Sequence, residues 1–186
     1  MGYFNKGKRG KIFLEGNIAI KKGEPRHILN EVKWLKELNK YNIGPKLISS
    51  GKNYFKYKFV NGIFITKYIE ESNKTKIKKV LINVLKQCRV LDKLNVNKLE
   101  MHNPYKHIII GKKVVMIDFE RCYETLKPKN VSQFCQFLIS KNIKKVLDKK
   151  KIKIDKRTLI KLIKKYKKSY NEKDFKNILR TFFLSK

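Results

Sequence analysis

Three short segments of this chain place chemically useful side chains where chemistry could use them. The apolar run Val114-Val115-Met116-Ile117 ends on Asp118 and continues as Phe119-Glu120. A carboxylate at the end of a buried strand is costly unless its charge is used, and a Mg²⁺ ion bridging nucleotide phosphates would use it. A second run, Ile18-Ala19-Ile20, ends on Lys21, and Glu31 follows ten positions later. That spacing lets a strand lysine grip phosphates while a glutamate on the next helix holds it in place. Upstream, Gly7-Lys8-Arg9-Gly10 forms a short loop. Its glycines, Gly7 and Gly10, would let backbone amides approach phosphate oxygens closely.

Between these segments lies Glu100-Met101-His102-Asn103-Pro104-Tyr105-Lys106-His107, running straight into Ile108-Ile109-Ile110. In protein kinases the catalytic loop stands here, with a catalytic aspartate and, five residues on, a metal-binding asparagine. Counting back from Ile108, His107 takes the asparagine position and His102 the aspartate position. Neither residue follows the usual rule. The candidates for orienting an acceptor hydroxyl are therefore Glu100 and His102, with Glu100 ranked first because a carboxylate stays ionised more readily beside Mg²⁺ and lysines. His107 or Glu120 is placed near the metal, and Lys106 is placed to neutralise charge on a transferring phosphate.

These residues need elements to hold them. Lys11–Leu14 and Asn17–Lys21 read as two strands around the Glu15-Gly16 turn, after a strand-poor start. Apolar Ile28, Leu29, Val32, Leu35 and Leu38 recur at helical spacing over 26–39. Pro25 suits the start of that helix and Ile43-Gly44-Pro45 ends the pattern. Strands are expected over 46–50 and 54–60, with Asn61-Gly62 as a turn. Val80, Leu81, Val84, Leu85, Cys88 and Leu91 define a helix over 76–94. The runs 107–110 and 114–117 read as a buried hairpin. Helices near 130–147, 155–170 and 172–183 complete the chain, with Asp148–Lys153 as a basic connection. The fold class is α+β: one domain over 1–186, with a small β-rich lobe over about 1–65 and a reduced, mostly helical lobe over about 66–186.

Charge is the dominant compositional feature. Lys and Arg number 47 against 15 Asp and Glu, a formal net charge of +32. Thermophile surfaces add Glu along with Lys, and here Glu has not kept pace. A domain tolerates such self-repulsion most readily with an anionic partner bound, and nucleic acid is the natural candidate. No apolar run approaches the ~20 residues of a membrane span, and no signal-peptide core follows the N-terminal charges, so a cytoplasmic location is expected. Cys88, Cys122 and Cys135 show no C-x-x-C spacing and are expected to be reduced and packed inside.

The order Gly-x-x-Gly, Ala-Ile-Lys, helix Glu, loop, Ile-Asp-Phe-Glu resembles the RIO and lipopolysaccharide-kinase branch of small atypical kinases. More narrowly, Glu100-Met101, Pro104–His107, Asp118–Cys122 and Lys127–Val131 resemble a family of archaeal RNA kinases, formerly labelled serine/threonine protein kinases. Members of that family phosphorylate a ribose 2′-hydroxyl of a uridine in the tRNA variable loop. The resemblance implies a minimal protein-kinase-like fold, ATP and Mg²⁺ as cofactors, and tRNA as partner, with no membrane and no protein partner required. It implies nucleotide contacts at Lys21 and Glu31 and metal binding at Asp118. Arg9, Lys106, Arg121, Lys127 and Lys129 are the expected RNA-binding side chains. Glu120 replaces the glycine of Asp-Phe-Gly, and 120–131 is too short for a flipping activation segment. An atypical serine/threonine protein kinase and a non-catalytic, nucleotide-gated RNA-binding module are the alternatives.

Overall fold

The structure, a computed structural model, describes the backbone of residues 2–6 and 10–183 and the side chains of 10–182. The chain is α+β. Strands β1 (Gly2–Lys6), β2 (Gly10–Glu15), β3 (Ile18–Gly23), β4 (Leu47–Ser50) and β5 (Tyr54–Lys58) form one antiparallel sheet in the order β1-β2-β3-β5-β4. The β2–β3 hairpin turns on Gly16, whose φ of 58° lies in the left-handed region that glycine enters without a Cβ penalty. β1 replaces the expected strand-poor start, pairing with β2 from Gly2 opposite Leu14 to Lys6 opposite Lys11.

Helix α1 (Pro25–Leu38) begins on a proline, whose fixed φ and missing N–H suit a first turn. It packs against β3, β4 and β5. Ile28, Val32, Leu35 and Leu38 are buried as their spacing requires. Burial contributes roughly 1.5–3 kcal/mol for each such side chain. Trp34 rather than Leu29 completes the inward face, and Leu29 is exposed. Gly44, at φ 83°, then carries the chain away so close to the core that a Cβ would lie 2.8 Å from Leu35 Cδ2.

Beyond β5 the chain is mostly helical. It runs through β6 (Ile63–Phe64), α2 (Ile65–Glu71), α3 (Lys74–Lys93), β7 (Val96–Asn97), β8 (Ile108–Ile110), β9 (Val114–Met116) and β10 (Tyr123–Glu124). Helices α4 (Asn130–Leu138), α5 (Lys141–Lys149), α6 (Lys156–Ser169) and α7 (Glu172–Phe183) follow. β8 and β9 form the expected hairpin, and β6 adds to its β8 edge. Residues 63–64 thus pair with the hairpin rather than with the first sheet. The helix expected over 130–147 is two, because Ser140 is extended (φ −63°, ψ 149°) and starts α5 afresh. The basic connection also begins later than expected, since α5 runs to Lys149. The core runs continuously from α1 through α3 and α4 to Leu159, Ile163 and Tyr166 of α6. All three cysteines are buried and free. Among the described residues no helix is long and apolar enough to cross a membrane.

Candidate functional site

Strand β3 carries Lys21 toward the facing side of α1, and the turn after β9 brings Asp118 and Glu120 to the same point. Lys21 Nζ lies 2.6 Å from Glu31 Oε2, 3.0 Å from Asp118 Oδ1 and 3.1 Å from Glu120 Oε2. Three carboxylates from two separate elements thus surround one ammonium. Burial works against the charge on Lys21, but Glu31, Asp118 and Glu120 outweigh it and raise its pKa above the ordinary lysine range. Burial also pushes the Glu31 carboxyl up, opposed by Lys21 and by the Phe119 amide, which donates to Glu31 Oε1 at 3.0 Å. For Asp118 the balance runs the other way: burial is overcome by Lys21 and Lys98, and its pKa is lowered. One oxygen each from Glu31, Asp118 and Glu120 lies within 4.8 Å of the others.

The backbone at this point is strained. Asp118 has φ 65°, a left-handed conformation costing an L-residue roughly 1–2 kcal/mol. Its surroundings hold it there. Phe119 behind it is fully buried, with its amide on Glu31. Asn30 Nδ2 donates to the carbonyls of Glu120 (2.8 Å) and Cys122 (3.1 Å), and Trp34 Nε1 donates to Cys122 O at 2.9 Å. Helix α1 is therefore fastened directly to residues 119–122.

The acceptor loop separates the two candidates for hydroxyl orientation. Glu100 is buried beside the site, with Oε2 3.0 Å from Lys98 Nζ and Oε1 3.8 Å from Arg121 Nη1. His102 is exposed, and its Nδ1 lies 2.8 Å from Leu99 O in its own 3-10 turn (Leu99–His102). The geometry brings Glu100 to the site and leaves His102 outside it. His107 is adjacent and half-buried, with Nδ1 3.7 Å from Asp118 Oδ2; that nitrogen is itself buried and has no hydrogen-bond partner among the described residues. Burial, reinforced by Lys98, lowers the His107 pKa. Lys106 is exposed on the same loop, as are Arg121, Lys127 and Lys129 on the segment leading to α4.

Lys98 is the site residue that sequence reasoning missed. It is fully buried, and its Nζ donates to Glu100 and to the backbone carbonyl of Asp118. It also sits 4.8 Å from the centroid of the Phe119 ring. Burying an ammonium costs several kcal/mol, which only good partners offset. In a chain with this many surface lysines nothing local marks Lys98 as different. The pattern that finds it is distant: Lys98 N donates to Asn130 Oδ1 at 2.8 Å, and Asn130 is held by Asp92. Asp92 in turn accepts from Tyr166 Oη of α6 at 2.8 Å.

Gly10 starts β2 opposite Gly23, where a Cβ would lie 2.7 Å from Lys22 O and 3.7 Å from Lys21 Cε. It therefore runs alongside the Lys21 side chain. Gly7 and Arg9 lie outside the described residues. Compared with known proteins, the chain matches no family model, and no curated protein sequence matches it.

Proposed function

We propose that this chain is an ATP-dependent RNA kinase with a minimal protein-kinase-like fold, transferring a γ-phosphate to a ribose 2′-hydroxyl of tRNA. The observation that carries it is the meeting of Lys21, Glu31 and Asp118, drawn from a sheet strand, the helix packed on that sheet and a strand end 97 residues from Lys21. Phosphoryl transfer needs little covalent chemistry from a protein; positioning and charge neutralisation supply most of the catalysis. Lys21, oriented by Glu31, binds nucleotide phosphates. The oxygens of Asp118 and Glu120 suit a hard divalent cation, and Mg²⁺ there would neutralise charge developing on the phosphates. An imidazole is a poorer Mg²⁺ ligand than a carboxylate, so His107 stands beside Asp118 rather than on the metal. Glu100 accepts from the incoming hydroxyl. The missing loop aspartate is tolerable because a general base contributes only about 10²–10⁴-fold.

Charge supports RNA as the acceptor. Helix α6 exposes Lys156, Arg157, Lys161, Lys164 and Lys168, with no acid in its first turn. Lys156 and Arg157 stand at the helix N-terminus, where cations oppose the helix dipole, so the charge there does not serve the stability of α6. An anionic partner explains it. Lys106, Arg121, Lys127 and Lys129 extend the basic surface beside the site, where phosphates flanking an acceptor nucleotide would lie. Such an enzyme works in the cytoplasm and needs no protein partner.

The test is transfer from γ-labelled ATP in the presence of either total tRNA or a mixture of proteins. Label in tRNA, lost in Asp118→Asn with RNA affinity unchanged, is the expected result. Label entering protein alone would replace the RNA kinase by a protein kinase. Tight RNA binding with no transfer to either would leave a nucleotide-gated RNA-binding module.

A further inference from the structure

We propose that Lys98 is a positioning residue that joins the two halves of the site, fixing the metal-side carboxylate and the acceptor-side carboxylate with one buried ammonium. This inference rests on the nucleotide-binding role proposed for Lys21, Glu31 and Asp118. Lys98 Nζ donates to the carbonyl of Asp118, the residue whose left-handed backbone aims its carboxylate at Lys21. The same nitrogen donates to Glu100 Oε2 at 3.0 Å, leaving Oε1 toward the more open side, where half-exposed Arg121 stands. The ammonium has no freedom to choose another partner: the residue is fully buried, Nζ lies over the Phe119 ring, and the Lys98 amide is bonded to Asn130.

A lysine placed only for stability would be replaceable. A methionine could fill the same volume over Phe119, and removing a buried pair together with its partner is often neutral for folding. What methionine cannot do is hold the Asp118 carbonyl. Lys98 therefore acts through Asp118 on metal–nucleotide binding and through Glu100 on the transfer step. The two arms are separable.

The experiment compares wild type, Glu100→Gln, Lys98→Met and the double variant Lys98→Met/Glu100→Gln. The double variant removes the unpaired carboxylate that would otherwise be left buried, so it keeps the comparison alive if Lys98→Met alone fails to fold. Mn²⁺ with a non-hydrolysable ATP analogue is titrated by electron paramagnetic resonance, RNA affinity is measured separately, and kcat and KM for RNA are taken from transfer assays. Glu100→Gln is expected to lose kcat while keeping the wild-type Mn²⁺–nucleotide affinity. The double variant is expected to bind Mn²⁺–nucleotide at least tenfold more weakly than Glu100→Gln, with RNA affinity and KM for RNA unchanged. Equal Mn²⁺–nucleotide affinity in the double variant and Glu100→Gln would overturn the role of Lys98. Wild type that binds Mn²⁺–nucleotide but transfers nothing would refute the RNA kinase and leave the Asp118 arm to be decided by the same comparison. Wild type that binds no Mn²⁺–nucleotide would overturn both.

Discussion

Replacing Lys21 by methionine removes a cation that Glu31, Asp118 and Glu120 share. Their oxygens stay within 4.8 Å of one another, with Glu31 and Glu120 buried and Asp118 one-third exposed at its side chain. Breaking a buried ion pair by removing one partner costs about 3–5 kcal/mol, and the partial opening at Asp118 argues for the lower half of that range. For a chain of this length, about 3–4 kcal/mol corresponds to a fall in Tm of roughly 6–16 °C. Thermal melts in EDTA at pH 7 measure it. Two further signatures separate electrostatics from a simple packing defect. Millimolar Mg²⁺ should restore Lys21→Met more than it stabilises wild type, because the cation takes the place left by the ammonium. Lowering the pH from 7 to 5 should also narrow the gap, since Glu31, already pushed up by burial and now freed of Lys21, takes a proton that relieves the repulsion. A Lys21→Met protein melting within 2 °C of wild type in EDTA, or indifferent to both Mg²⁺ and acid, would refute the assignment of Lys21 as the hub of the site.

Gly44→Ala should cost about 2–5 kcal/mol by urea unfolding, combining a left-handed φ of 83° with a Cβ placed 2.8 Å from Leu35 Cδ2 and 3.1 Å from Phe119 Cε2. Because Phe119 follows Asp118, the same variant should weaken nucleotide binding. His107 is held below the ordinary histidine pKa of about 6.5, so the unfolded chain takes up a proton before the folded one does. Stability should therefore begin to fall as pH drops through that value and go on falling until the folded imidazole also titrates. His107→Asn should flatten that part of the profile in denaturant melts at pH 7.5 and 5.5, leaving the carboxylates to set what slope remains. RNA affinity should fall with salt at about 0.7 log units per log unit for each single-stranded phosphate contacted, and neutralising Lys161, Lys164 and Lys168 should lower the slope; a flat profile in wild type would remove the electrostatic case for RNA.

Much of the site was legible because its chemistry sits in short segments. A strand ending in Lys21, a helix presenting Glu31 and a strand ending in Asp118 need only local periodicity to be placed. The stripes of α1 and α3 were legible for the same reason. What local pattern could not supply was partnership. His102 and Glu100 share one loop, and side-chain chemistry alone ranks them; the buried ammonium of Lys98 is what separates them in space. Lys98 itself reads as one more solvated lysine, since its burial depends on Asn130, some thirty residues later, and on the Asp92–Tyr166 contact behind it. The exchange of Leu29 for Trp34 on α1 has a similar origin: the indole faces inward because Cys122 O, far along the chain, accepts its N–H. β1 lacked the alternation of a half-buried strand, and its pairing with β2 supplies what its own residues do not advertise.

The four hydrogen bonds that fasten α1 to residues 119–122 bear on how such a protein could be switched. Swinging α1 outward would exchange those four hydrogen bonds for bonds to water, at about 0.5–1.5 kcal/mol each. At roughly 2–6 kcal/mol in all, the disassembled state would hold at most about one molecule in thirty. Lys21, Glu31 and Asp118 are thus engaged in the ground state, which leaves only a minor disassembled population for a modification or an activator to empty. For the kinase proposed above, output would then be set by supply: by how much acceptor is exposed or shielded at a given moment.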